Sequence, residues 1–184
     1  MGVGAKQATS IGFYTVVTHE QHGLFGGLLL LNNTGRPIEF HCTAPLKPNR
    51  AQEILYGATL ESYLYGEAIG RALLAKASAD PQFVCVDQGA GLALRECCST
   101  PVALVVPPAE PGASAEPLFR IDAPHTASAR TFALGRHRAS VHRRFADDEA
   151  AVTTHVAGLA EHFDLLEPFA RIRGAIEEAQ RSGR

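Results

Sequence analysis

The opening stretch of this chain admits few folds. Asn32-Asn33-Thr34-Gly35 is a tight-turn signal. It sits between Leu24–Asn32 and Pro37–Thr43 (PIEFHCT), both rich in the branched and aromatic residues that favour strands. A third run of this type, Ile11–His19 (IGFYTVVTH), precedes them and is separated from Leu24 by the polar turn Glu20–Gly23. Three such runs joined by short turns predict an antiparallel meander. Gly26 and Gly27, in the middle of the second run, mark a bulge or a close backbone approach.

Beyond the meander, helix and strand signals alternate. Pro45 and Pro48 end the three-stranded segment, and Asn49 with Gln52 has the spacing of a capping box. The helix this starts is broken at Gly57 and resumes from Thr59 to Ala77, with Leu60, Tyr63, Leu64, Ile69 and Leu73 on its buried side. Pro81–Asp87 (PQFVCVD) and Pro101–Val106 (PVALVV) are short apolar strands of the kind covered on both faces, with a short helix over Ala90–Glu96 between them. The predicted fold is α/β: a mixed sheet over residues 11–106 in the order β-β-β-α-β-α-β, after a leader over residues 1–10.

Residues 107–146 are predicted to be a linker and a basic segment, with one stray strand at Leu118–Ile121. Beyond it the pattern turns helical. Asp147 and Asp148 suit a helix start, and Val152, Val156, Leu159 and Phe163 recur at helical spacing. Asp164 and Glu167 form a second capping-box pattern, and Phe169, Ile172 and Ile176 line the next helix. Residues 147–184 are therefore expected to be a helical pair packed on the core.

Cys42, Cys85, Cys97 and Cys98 form no C-x-x-C pair, which suits a reducing compartment and a cytoplasmic location. The longest apolar run, Leu24–Leu31, is too short to span a bilayer, so no membrane partner is expected. A formal net charge of −2 demands no polyanionic partner. The oligomeric state is left open, a homo-oligomer included.

Several groups of residues could carry chemistry. The order of the first elements, with Asn49-Arg50-Ala51-Gln52-Glu53 opening a helix and Val84-Cys85-Val86-Asp87 closing a strand, resembles the ribonuclease-H-like fold. That resemblance implies Glu53 and Asp87 as catalytic ligands of Mg²⁺ in a metal-dependent phosphodiesterase, since clustered carboxylates suit hard divalent cations. The family's first strand carries an Asp. Ile11–His19 holds no carboxylate, Glu20 is the nearest substitute, and a fourth acid would have to come from Asp147 or Asp148.

His19 and His22 are spaced H-x-x-H on a turn, and His41 adjoins Cys42. Zinc accepts such ligands, but adjacent strand residues face opposite ways, so no metal site is assigned. A thiol nucleophile would need an exposed, electropositive setting. Cys85 lies between two valines, and nothing selects a base for Cys97 or Cys98. From Ala123 to Ala146 there is no acid, and Arg130, Arg136, Arg138, Arg143 and Arg144 are candidate phosphate-binding residues. Tyr56, Tyr63 and Tyr65 mark a small-molecule or peptide pocket.

No catalytic set is complete by sequence, and no cofactor is expected outside the Mg²⁺ alternative. The leading expectation is a non-catalytic binding or accessory protein that meets nucleic acid or a protein through its arginines, its C-terminal helices or both. The alternative is the nuclease.

Overall fold

The computed structural model of the chain describes residues 10–107, 128–160 and 163–182. Strands β1 (Ser10–His19) and β2 (Gly23–Asn32) pair antiparallel over their whole length, and β3 (Pro37–Cys42) completes the meander beside β2. The Asn32 side chain holds the second turn. Its Oδ1 accepts from the backbone N–H groups of Thr34 and Arg36, and Gly35 takes φ 77°, a region open mainly to glycine. β4 (Val84–Val86) runs parallel to β1, and β5 (Val102–Val106) runs parallel to β4.

The sheet does not stop there. β6 (Ser128–Leu134) and β7 (His137–His142) form a hairpin whose second strand pairs antiparallel with β5. The result is a mixed seven-stranded sheet in the order β3-β2-β1-β4-β5-β7-β6. The sequence predicts a linker and basic segment here, and no hairpin. Arginine and histidine mask the buried strand: every residue of β7 but Arg138 is buried, His137 and His142 included. Gly135, at φ 59°, makes the turn. The leader to residue 9 and the predicted strand over residues 118–121 lie outside the described residues.

Between β3 and β4 the chain is helical almost throughout. α1 (Arg50–Tyr56) begins with the Asn49–Gln52 capping box, both reciprocal hydrogen bonds being present. It ends at Gly57, whose φ of 49° breaks the helix into a single 3-10 turn. The helix resumes as α2 (Leu60–Tyr63), widens into π-type turns over Leu64–Arg71, and closes as α3 (Ala72–Lys76). In the widened stretch the buried Tyr14 hydroxyl donates to the Tyr65 carbonyl at 2.7 Å. Gly89–Glu96 is 3-10 helix. α4 (Asp148–Ala160) and α5 (Glu167–Ser182) come after β7, and Asp164 Oδ1 accepts the Leu166 N–H just before α5.

Strand alternation divides the apolar residues between two cores. Phe13, Leu29, Leu31, Cys85, Ala103 and Val141 face α4 and α5, meeting Val152, Val156, Phe169, Ile172 and Ile176. Tyr14, Leu28, Leu30, Val84, Val86 and Leu104 face the other way, meeting Leu64, Ile69, Leu73, Leu92 and Leu94. The uniformly apolar β2 thus lies between helices on both sides. Gly26 and Gly27 let both helices come close. A Cβ on Gly26 would overlap Ile69, and one on Gly27 would overlap Ile172, well inside van der Waals contact. No described helix is long and apolar enough to cross a membrane.

Gly27→Val should therefore lower stability by about 2 kcal/mol or more, as overpacking does. Gly174→Ala, in α5 with open space around it, should raise stability by about 0.5–1 kcal/mol. Urea midpoints of the two variants check the pair.

Candidate nucleic-acid interface

Asp87 lies just past β4 and takes its charge partner from α5. Its Oδ2 accepts from the Arg173 guanidinium, while its buried Oδ1 has no hydrogen-bond partner in the structure. The β1–β4 register pairs Phe13 with Cys85 and Tyr14 with Val86, so Thr15 comes level with Asp87 on β1. Thr15 is buried. The next residue, Gln88, closes the end of β1: its Oε1 accepts the Val16 N–H and its Nε2 donates to the Val16 carbonyl, both at 3.0 Å. Glu53 has a different partner. It lies on α1, which buries no residue, and accepts from Arg50 at 3.0 Å.

These carboxylates do not suit the divalent cation that the ribonuclease-H resemblance implies. Among the described residues no group of three or more His, Cys, Asp or Glu side chains is placed to hold a metal ion. Glu53 and Asp87 each take a different arginine. Asp148, on α4, is buried against Arg95, which binds it through two nitrogens at 2.7 and 3.2 Å. The Arg95 guanidinium also donates to the Cys98 carbonyl and lies 4.0 Å from the centre of the Phe145 ring. Asp148 thereby ties α4 to the segment before β5.

The histidines and thiols separate by face. β2 lies between β1 and β3. His41 bonds Glu39 at 2.8 Å, and the same Glu39 carboxylate accepts from the Ser78 and Ala79 N–H groups. These bonds hold the Glu39 carboxyl below its ordinary range, the His41 bond foremost. Cys42 instead lines a cavity of about 350 Å³ with His19, His22, Phe25 and Ile176. Burial pushes the Cys85, Cys97 and Cys98 thiols up, the direction that disfavours the reactive thiolate.

The arginines do not form one patch. Arg136 sits at the β6–β7 turn and pairs with Asp164 at 3.2 Å, beside the buried His137, which bonds the same carboxylate at 3.0 Å. The Leu166 N–H, the His137 bond and the Arg136 charge hold the Asp164 carboxyl below its ordinary range. Arg143 and Arg144 lie past the other end of β7, roughly 20 Å away at the rise of a strand. Arg138 lies between them on β7, and Arg130 opposes Val141 on β6 with its side chain outside the described part.

The far end of β7 builds a site whose two halves are separate in the sequence. Arg143 and Arg144 line a cavity of about 560 Å³ together with Tyr56, Tyr63, Glu67 and His142. The Tyr56 and Tyr63 rings stack with centroids 4.1 Å apart. Arg144 donates to Glu96 at 3.1 Å, and His142 Nε2 lies 3.4 Å from the same oxygen. His142 Nδ1 accepts the Arg144 N–H, which puts the proton of the neutral ring on Nε2, towards Glu96. The tyrosines and the arginines are each visible in sequence; their meeting depends on the β6–β7 hairpin.

Comparison with known proteins bears on the fold. No family model matches the chain, and no curated protein matches it significantly. The catalytic domain of human Endonuclease V is similar in structure, with a TM-score of 0.52 and 14% identity over 97% of this chain and 85% of that one. The fold is ribonuclease-H-like. Endonuclease V of Ciona intestinalis in complex with an inosine-containing 23mer DNA matches with a TM-score of 0.45 and 12% identity, over 82% and 78% of the two chains. Argonaute of Marinitoga piezophila in complex with guide RNA and target DNA matches with a TM-score of 0.27 and 14% identity, over 55% and 16%. At these identities the likeness shows the fold and nothing finer.

Burial holds His142 below its ordinary pKa, against the opposing charge of Glu96 and with Arg144, Arg143 and Arg95 adding to the shift. The unfolded chain thus takes up this proton more readily than the folded one. Its contribution to stability is complete above a pH of about 6.5 and is lost as pH falls through the lower folded value. His142→Gln should flatten the fall in the urea midpoint between about pH 7 and about pH 5.

Proposed function

We propose that this protein binds single-stranded nucleic acid at the cavity between α1–α2 and the end of β7. The observation that carries the reading is the convergence there of a stacked tyrosine pair with Arg143 and Arg144. Aromatic rings hold bases by stacking, and guanidinium groups hold phosphates, a combination that suits strands whose bases are free. The cavity, at about 560 Å³, lies within the range of sites that enclose a small ligand. Arg143 makes no ion pair or hydrogen bond among the described residues, so its charge is available to a phosphate. The fold supports a nucleic-acid partner, because the human protein that shares it is an endonuclease by name.

That likeness favours a nuclease reading over a general accessory role. The second reading is accordingly Mg²⁺-dependent phosphodiester cleavage with Asp87 and Glu53 as ligands. It rests on the fold alone, and the separate arginine partners of the two acids speak against it.

Fluorescence anisotropy with a labelled single-stranded oligonucleotide separates these outcomes. Binding should weaken steeply with salt, and Arg143→Ala should lower the affinity several-fold and reduce the salt slope by about 1. Tyr63→Ala should cost about 1–3 kcal/mol if a base stacks there. Undetectable or salt-insensitive binding would sink the proposal. Mg²⁺-stimulated cleavage that disappears in Asp87→Asn would establish the second reading in its place.

A further inference from the structure

The binding cavity is charged unevenly. Glu96 is already occupied, its Oε1 lying 3.1 Å from Arg144 and 3.4 Å from His142. Glu67 lines the same cavity and makes no hydrogen bond or ion pair among the described residues. It comes after the stacked tyrosines along the helix and adjoins them. The Tyr56 hydroxyl is pushed above its ordinary pKa by burial, by its bond and charge interaction with Tyr63, and by the charge of Glu67. Glu67 acts in the same direction on Cys97, another lining residue, after burial. The carboxylate therefore lies near Tyr56 and Cys97, on a different element from the Arg143–Arg144 turn that also lines the cavity.

A free carboxylate in a phosphate-binding cavity needs an explanation, because it repels the ligand's anionic part. It also accepts hydrogen bonds and donates none. Of the groups on a nucleotide, the exocyclic amine of adenine, cytosine or guanine suits it. Thymine and uracil carry carbonyl oxygens at those positions and can donate only through the ring N3–H, whose two flanking carbonyl oxygens repel the carboxylate. The two elements would then orient the ligand, with phosphate at the arginines and base at the tyrosines and Glu67.

We infer that Glu67 is a specificity-determining residue that selects bases bearing an exocyclic amine against thymine and uracil, by accepting a hydrogen bond from that amine. The inference rests on the nucleic-acid reading above, and the test keeps the two apart. The full chain is titrated against labelled oligo(dA), oligo(dC) and oligo(dT) of equal length, with wild type and Glu67→Gln. Glutamine keeps the shape but donates as well as accepts. Wild type should prefer oligo(dA) and oligo(dC) over oligo(dT) by about tenfold, the difference that about 1.4 kcal/mol makes. Glu67→Gln should bring the three within about twofold, mainly by strengthening oligo(dT) binding. Glu67 is exposed, and an unchanged melting temperature would confirm that the variant is folded. Equal binding of all three by wild type, or a preference that survives Glu67→Gln, overturns this inference and leaves nucleic-acid binding intact. Failure of every oligonucleotide to bind wild type overturns both.

Discussion

The close approach of helices to both faces of β2 is the constraint on which this architecture depends. Gly26 and Gly27 face opposite ways, one under Ile69 and the other under Ile172. Without side chains there, the helix between β3 and β4 and the helix at the C-terminus can both lie almost on the backbone of the sheet. β2 is strongly apolar around the pair, so both of its faces must be covered. The two cores are thereby anchored to the same strand, and the positions of Tyr56, Tyr63 and Glu67 on one side and Arg173 on the other are set by where those helices rest.

The rim of the sheet is fastened by ion pairs between elements distant in sequence. Arg95 and Asp148 join the segment before β5 to α4, Arg173 and Asp87 join α5 to β4, and Arg136 with His137 joins the β6–β7 turn to Asp164. Pairs as buried as Arg95–Asp148 are costly to break, because the surviving charge is stranded away from water. They are weaker evidence of net stabilisation than of a fixed arrangement. They also engage three of the groups that the sequence offers for catalysis or phosphate binding, Asp87, Asp148 and Arg136. Among the described residues Arg143 and Glu67 make no such pair, and both line the same cavity.

The fold and the chemistry of its central strands differ in what they suggest. The sheet order and the likeness to the catalytic domain of human Endonuclease V give a ribonuclease-H-like frame. Within it, Asp87 lies just past β4, level with the neutral Thr15 of β1, and faces a guanidinium. An arginine supplies positive charge to that carboxylate without requiring further ligands, whereas a divalent cation needs several oxygens grouped around it.

Local patterns in the sequence determined the local structure. The Asn32–Gly35 turn, the Asn49–Gln52 capping box, the break at Gly57 and the apolar stripe of Phe169, Ile172 and Ile176 are each written within a few residues, and the first three form through contacts of that range. The twin glycines of β2 likewise announced a close approach, though not what approached. Tertiary structure alone decided the partners of the charged side chains, because Asp87 and Arg173, or Arg95 and Asp148, are far apart along the chain and carry no spacing that links them. It also decided that the arginine-rich segment is a hairpin. Pairing with β5 satisfies the backbone of β7, and every residue of that strand but Arg138 is buried, a gain that intrinsic propensity does not register. The cavity at the end of β7 belongs to this second kind of information: its tyrosines and arginines are legible as residue types, but only the packed sheet brings them to one cavity.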